Sequence, residues 1–169
     1  MTSSFIPLIS KIHWESIVFQ GDDAAVFELL VQPLHEELYK RNDFAFLNDL
    51  SPMQQLYLSF DYLRAQAGQG GFIQFLANGY APLMLNMPEW LKQLGADDMA
   101  LLIDDVLKVY VLNNEYFKQE ISVEDFGKLY EELKEFELLD KRYEEQLMPT
   151  LHRMVEYAIT HLGEFAELI

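Results

Sequence analysis

The amino-acid sequence predicts an all-α fold, a single compact domain of about seven to nine helices over residues 1–169, and three observations lead there. Apolar residues recur at helical spacing through most of the chain, and strand-like alternation bounded by Asn-Gly or Asp-Gly turns is scarce. Half of the 169 residues are hydrophobic and 14% are aromatic, whereas disordered acidic tails are poor in both, so the charge of this chain belongs to a folded object. A chain of this length buries roughly two thirds of the surface its unfolded form exposes and needs no disulfide or structural metal to stand. No repeat, low-complexity tract or linker divides it.

A first helix around Ile12 to Phe19 runs to Gly21. Asp22 and Asp23 then give an acidic start to a longer helix through Leu29, Leu30, Leu34 and Leu38, which Pro33 is expected to bend or divide. Ser51-Pro52 combines a hydroxyl cap with proline at the first helical position. Leu56, Phe60 and Leu63 mark the buried stripe of the helix that Gly68-Gln69-Gly70-Gly71 ends. Phe72 to Asn78 reads as a short apolar helix stopped by Gly79, and Pro82 and Pro88 open new turns before Gly95. From Asp97 to Asn113, at about 100° per residue, Met99, Leu102, Ile103, Val106, Val109 and Tyr110 gather on one side while Leu101, Val111 and Leu112 fall on the other. That helix is either central in the core or part of a subunit contact. Ser122-x-x-Asp125 resembles a capping box with Asp for the usual Glu, and opens a helix with the apolar face Phe126, Leu129, Tyr130, Leu133 and Phe136. Glu137 would land on that face, which places a break between Phe136 and Asp140. The last helix uses Tyr143, Leu147, Leu151, Met154, Val155, Ala158 and Leu162, with a kink expected near Pro149.

Twenty-eight acids against 12 bases leave a net charge of −16, a field that repels nucleic acid and anionic lipid and attracts basic proteins. Direct nucleic-acid binding is thereby disfavoured. Residues 1 to 85 carry −5 and the remainder −11. On the helix that begins at Ser122, Glu124, Glu131 and Glu135 fall within about 40° of one another opposite the apolar face. Asp97 and Asp104 align two turns apart with Asp98 and Asp105 beside them, and Asp140, Glu144 and Glu145 open the last helix. Together with Glu120, Asp125 and Glu132 these are the candidate partner-binding carboxylates. Some acids are expected in ordinary surface pairs, Glu124 with Lys128, Glu137 with Lys141 and Lys134 near Glu131, each worth tenths of a kcal/mol. The total exceeds what solubility requires, since a net charge of about 2 to 8 suffices for a small domain. A compact chain of this length spans roughly 40 Å. Duplex DNA of that length carries on the order of 24 phosphate charges, so −16 approaches the charge of the duplex it would replace.

Conventional catalysis finds little footing. Cysteine is absent, which removes thiolate nucleophiles, iron–sulfur clusters and cysteine-ligated zinc, and fits a reducing cytoplasm. His13, His35, His152 and His161 form neither Glu-x-x-His nor His-Glu-x-x-His, and His152 with Glu156 is expected as a surface pair. The glycines at 68 to 71 lack the Gly-Lys-Ser/Thr ending of a phosphate loop. No Gly-x-Ser-x-Gly elbow occurs, and the acidic pairs miss the spacing of a calcium loop. The reading is a protein that is not an enzyme and takes no cofactor or metal. Its first residues lack the basic flank and apolar block of a secretory signal, and glycines and prolines break the uncharged run Ala65 to Pro88. A cytoplasmic protein without a membrane span is expected.

The segment Gly70-Gly71-Phe72-Ile73-Gln74-Phe75-Leu76-Ala77-Asn78-Gly79, followed by Leu91-x-x-Leu94-Gly95-Ala96, resembles the bacterial DNA-mimic protein family, acidic helical proteins of about this size. The resemblance implies a dimeric protein whose carboxylates imitate duplex phosphates and occupy the DNA-binding surface of a helix-turn-helix transcription factor, relieving repression without chemistry. The motif itself carries no acid. Gly70, Gly71 and Asn78 are expected to set turns, Phe72 and Phe75 to pack, and Gln74 to hydrogen-bond backbone. The alternative is an acidic immunity- or antitoxin-like module that plugs a basic nuclease. A carboxylate-based enzyme or metal binder stands third.

Overall fold

The computed structural model describes residues 5–118 and 120–169. Its elements run β1 (Leu8–Ile9), α1 (Lys11–Gln20), α2 (Asp23–Arg41), α3 (Pro52–Ala77), α4 (Met87–Gln93), α5 (Asp97–Leu112), α6 (Val123–Glu132), α7 (Glu135–Thr160) and β2 (Glu167–Leu168). Short 3-10 turns occupy Phe44–Asp49, Ala81–Met84, Asn114–Phe117 and Leu162–Glu164. The fold is all-α, as the periodicity predicts. Contacts group into two compact units, the chain up to Leu58 with Pro149–Ile169, and Ser59–Met148. Among the described residues no helix is long and apolar enough to cross a membrane.

In the first unit, Gly21 closes α1 at φ 69°, and the Asp22 carboxylate accepts the Ala25 N–H at 3.1 Å to cap α2. Pro33 does not divide α2, because a proline removes only the bond to the Leu29 carbonyl while Leu30, Val31, Leu34 and Leu38 keep one buried face through it. The start of α3 is a reciprocal box: Ser51 Oγ accepts the Gln54 N–H at 3.1 Å, and Gln54 Oε1 accepts the Ser51 N–H at 2.9 Å. Gln54 is fully buried, and its Nε2 donates to the carbonyls of Phe5 and Phe165. Tyr57 lies against Phe27 and Phe165, with ring centroids 5.3 and 4.6 Å away, and donates its hydroxyl to the Met154 carbonyl. Periodicity does not announce the parallel pairing of β1 with β2, Leu8 opposite Glu167 and Ile9 opposite Leu168. Strands of two residues are too short for alternation to register.

In the second unit, α3 breaks at Gly70–Gly71. Gly71 adopts φ 69° and ψ −169°, a region essentially reserved for glycine, and a Cβ there would lie 2.3 Å from Asp140 Oδ2. A Cβ on Gly70 would come within 2.8 Å of the Tyr130 hydroxyl, which donates to the Gly70 carbonyl at 2.6 Å. Phe72 and Phe75 are buried as expected. Gln74 instead bonds side chains, Gln66 and Gln69 each at 3.1 Å, and Asn78 donates to Gln66 Oε1 at 2.6 Å. The turn expected at Asn78 falls on Gly79, at φ 84°.

The break between α6 and α7 comes at Leu133–Lys134, earlier than expected, with the Leu133 N–H closing on the Leu129 carbonyl at 2.8 Å. A break at that point keeps both Leu133 and Phe136 buried and turns Glu137 to solvent, which relieves the conflict visible on the wheel. α7 passes through Pro149 as one helix. α5 buries Met99, Ala100, Leu102, Ile103 and Val106 but leaves Leu101, Val111 and Leu112 54%, 63% and 83% exposed, which removes the central-core reading of that helix.

Candidate functional site

All the candidate carboxylates fall in the second unit, and the structure sorts them by what each one touches. On α5, Asp97 and Asp98 are exposed in the first turn, where the helix dipole favours them. Asp104 lies 3.7 Å from Lys92. Asp105 accepts from Arg142 at 2.9 Å and from Lys108 at 3.2 Å. The Arg142 hydrogen bond first, and then Lys108, hold its carboxyl below the usual range against the opposing pull of partial burial.

Asp140 is half-buried and turned inward. Its Oδ1 accepts the Phe72 N–H at 2.8 Å, where the chain re-enters the helix after the glycine break. Burial pushes its carboxyl above the ordinary value, that backbone bond opposes the rise, and Glu144 and Glu137 add to it. Asp140 is therefore committed to the fold and not displayed on the surface.

On α6, the Ser122 hydroxyl accepts the Asp125 N–H at 3.1 Å and donates to Asp125 Oδ2 at 2.8 Å. Lys128, expected opposite Glu124, instead meets Asp125 at 2.8 Å, and it is the main cause of that carboxyl's lowered pKa. The expected pairs Glu137–Lys141 and Glu131–Lys134 are not made among the described residues. Glu124 and Glu131 stay exposed, within about 20° of each other on the side opposite Leu129. Glu135 belongs to α7, so the wheel drawn through it does not apply, and its Oε1 accepts from Asn113 Nδ2 at 3.2 Å.

Three of the candidates converge. Glu120, Asp125 and Glu132 line an open cleft of about 250 Å³ together with Glu115, Tyr116, Ile121, Lys128 and Leu129. The hydrogen bond between Tyr116 and Glu132, and then the charge of that carboxylate, hold the phenol above its ordinary value. Glu115 and Tyr116 escape a helical wheel because they sit on a 3-10 turn, where the period does not hold. Glu144, Glu145, Asp97 and Asp98 are exposed but lie away from this cleft. Among the described residues, Asp97, Asp98, Glu120, Glu124, Glu131, Glu132, Glu135, Glu144 and Glu145 make no ion pair.

Such a surface can receive cationic side chains. In the first unit, His152 meets Asp23 at 2.9 Å and Glu156 at 3.5 Å on the surface. Among the described residues no group of three or more histidines and carboxylates is disposed to hold a metal ion.

Two comparisons with known proteins bear on this surface. The sequence model of the family described as DMP19-like protein matches residues 48–161, more than half of the chain. That stretch runs from just before the Ser51 cap through α7 and takes in the Gly70–Asn78 motif and every candidate carboxylate. A search of curated proteins finds no match.

Proposed function

Because the chain belongs to the DMP19-like protein family, a family of DNA mimics, we propose that its carboxylates stand in for duplex phosphates on the DNA-binding surface of a helix-turn-helix transcription factor. Occupying that surface relieves repression by competition, with no chemical step. The whole chain, 1–169, acts as one mimic domain, as a homodimer in the cytoplasm.

The observation that carries this reading is the contrast among the acids of the second unit. Asp104, Asp105 and Asp125 are paired with neighbouring cations, whereas Glu120, Glu124, Glu131, Glu132 and Glu135, around α6 and the start of α7, make no ion pair among the described residues. Unpaired carboxylates leave an attractive field for arginines and lysines that otherwise grip phosphate.

Fluorescence anisotropy of an operator duplex bound to a purified helix-turn-helix repressor tests it. The native protein is expected to displace the duplex at low salt. A chain carrying Glu124→Lys, Glu131→Lys and Glu132→Lys is expected to need at least about tenfold more protein for the same displacement. Its far-UV circular dichroism should be unchanged, because all three side chains are exposed. Failure to displace DNA from any such factor at low salt sinks the reading, and inhibition of a basic nuclease in its place supports the inhibitor alternative.

A further inference from the structure

At about 100° per residue, the outward side of α5 gathers Leu101, Asp104, Asp105, Lys108, Val111 and Leu112 within an arc of about 120°, opposite the buried Met99, Ile103 and Val106. Three apolar side chains more than half exposed on one short strip are more than the scattered hydrophobes that any surface carries. Charge says what covers them. On a chain of net −16, two copies repel wherever carboxylates stand bare. Between Leu101 and Leu112 Lys92 meets Asp104, and Lys108 and Arg142 meet Asp105, so two acids are answered by three cations, and the bare carboxylate of Asp97 lies on the same side one turn beyond the end of the strip. A basic partner gains least here, and a second copy of the chain is repelled least.

We propose that this strip is the contact between two copies of the chain, α5 packing antiparallel on its counterpart about a two-fold axis between residues 106 and 107. In that register Leu101 of one copy faces Leu112 of the other, and Lys108 faces Asp105, and the symmetry repeats each contact. Sliding one helix by a turn in one direction sets Asp105 against Asp104. Sliding it by a turn in the other sets Lys108 against Lys108. The charge pattern therefore selects the register as well as the partner.

The inference deepens the homodimer named in the proposed function and does not depend on DNA mimicry. Sedimentation velocity on the native chain and on Leu101→Glu and Leu112→Glu variants tests it. The expected result is a native dimer and monomeric variants with unchanged far-UV circular dichroism, since both leucines lie in solvent in the single chain. Because the chain has no cysteine, a variant carrying Leu101→Cys and Leu112→Cys, treated with a short bismaleimide, should also yield a covalent dimer. A monomeric native chain overturns the inference, and so does a dimer that survives both glutamates. Operator displacement measured on the same samples keeps the two readings apart. A dimer broken by Leu112→Glu in a protein that displaces no DNA upholds this contact and removes the mimic. A monomeric native chain that displaces DNA does the reverse.

Discussion

At Gly71 the backbone leaves the region open to residues with a Cβ, and its surroundings are built on that departure. Gly71→Ala combines an unfavourable φ of 69° with a Cβ 2.3 Å from the Asp140 carboxylate, and it is expected to cost about 2 kcal/mol or more, read from chemical denaturation. An unchanged midpoint would mean that the break is not fixed by this residue.

Asp140 carries the opposite linkage to Asp105 and Asp125. Its pKa is raised in the folded state, so its contribution to stability is fully present below the ordinary carboxylate pKa and is lost as pH rises through the raised value. Asp105 and Asp125, whose carboxyls are lowered, contribute stability above the ordinary pKa and lose it on acidification. Asp140→Asn keeps an acceptor for the Phe72 N–H without the charge. It is expected to match or exceed the native stability at pH 7, with the difference shrinking toward pH 3, whereas Asp140→Ala orphans that N–H at about 1 to 2 kcal/mol. Equal losses in both variants at pH 7 would refute the account. The sequence marks the residue types of this motif but not their partners. Phe72 and Asp140 are 68 positions apart, and the wheel counted Asp140 as one more surface acid.

Elements were legible wherever a local signal fixes an end. Ser51-Pro52, Asp22, Gly21, Gly79 and Gly95 mark real boundaries, because capping and left-handed turns are chemistry within a few residues of the chain. The misfit of Glu137 predicts a division of α6 from α7 but places it too late. Burial of both Leu133 and Phe136 decides the exact position, and burial is a tertiary quantity. Among the candidate carboxylates, a wheel locates exposed acids well but cannot see which cations reach Asp104 and Asp105 from other helices, as Lys92 and Arg142 do, and on α6 it leaves Lys128 equally near Glu124 and Asp125. The box at the start of α3 supplies a direct test. Gln54→Ala removes the acceptor of the Ser51 N–H and leaves the carbonyls of Phe5 and Phe165 without that donor, so a loss of about 2 kcal/mol or more is expected by thermal or urea unfolding. A loss within a few tenths would show that the buried amide is dispensable.

Across the whole molecule the charge divides more evenly than its distribution along the sequence suggests. The first unit holds 11 acids and 4 bases, net −7, and the second 17 and 8, net −9, because the end of α7 and the residues after it belong with the N-terminal helices. Each unit therefore repels itself, and salt should act on stability and on binding with opposite signs. Raising sodium chloride from about 0.05 to 0.5 M shortens the screening length to a few ångströms. The melting temperature is expected to rise by a few degrees as repulsion is screened, while the protein loses potency in displacing operator DNA. A fall in both would count against an unbalanced acidic surface as the source of binding.

The parallel ladder of β1 with β2 orders events in time. Residues 59–148 are a continuous stretch that can complete its contacts before Glu167–Leu168 are made, but Leu8–Ile9 must wait for those residues. On the ribosome α1 and α2 are thus made before residues 59–148 but locked in place after them. The apolar stretch of α2 stays open to chaperones or to misassociation until the residues of β2 have been made.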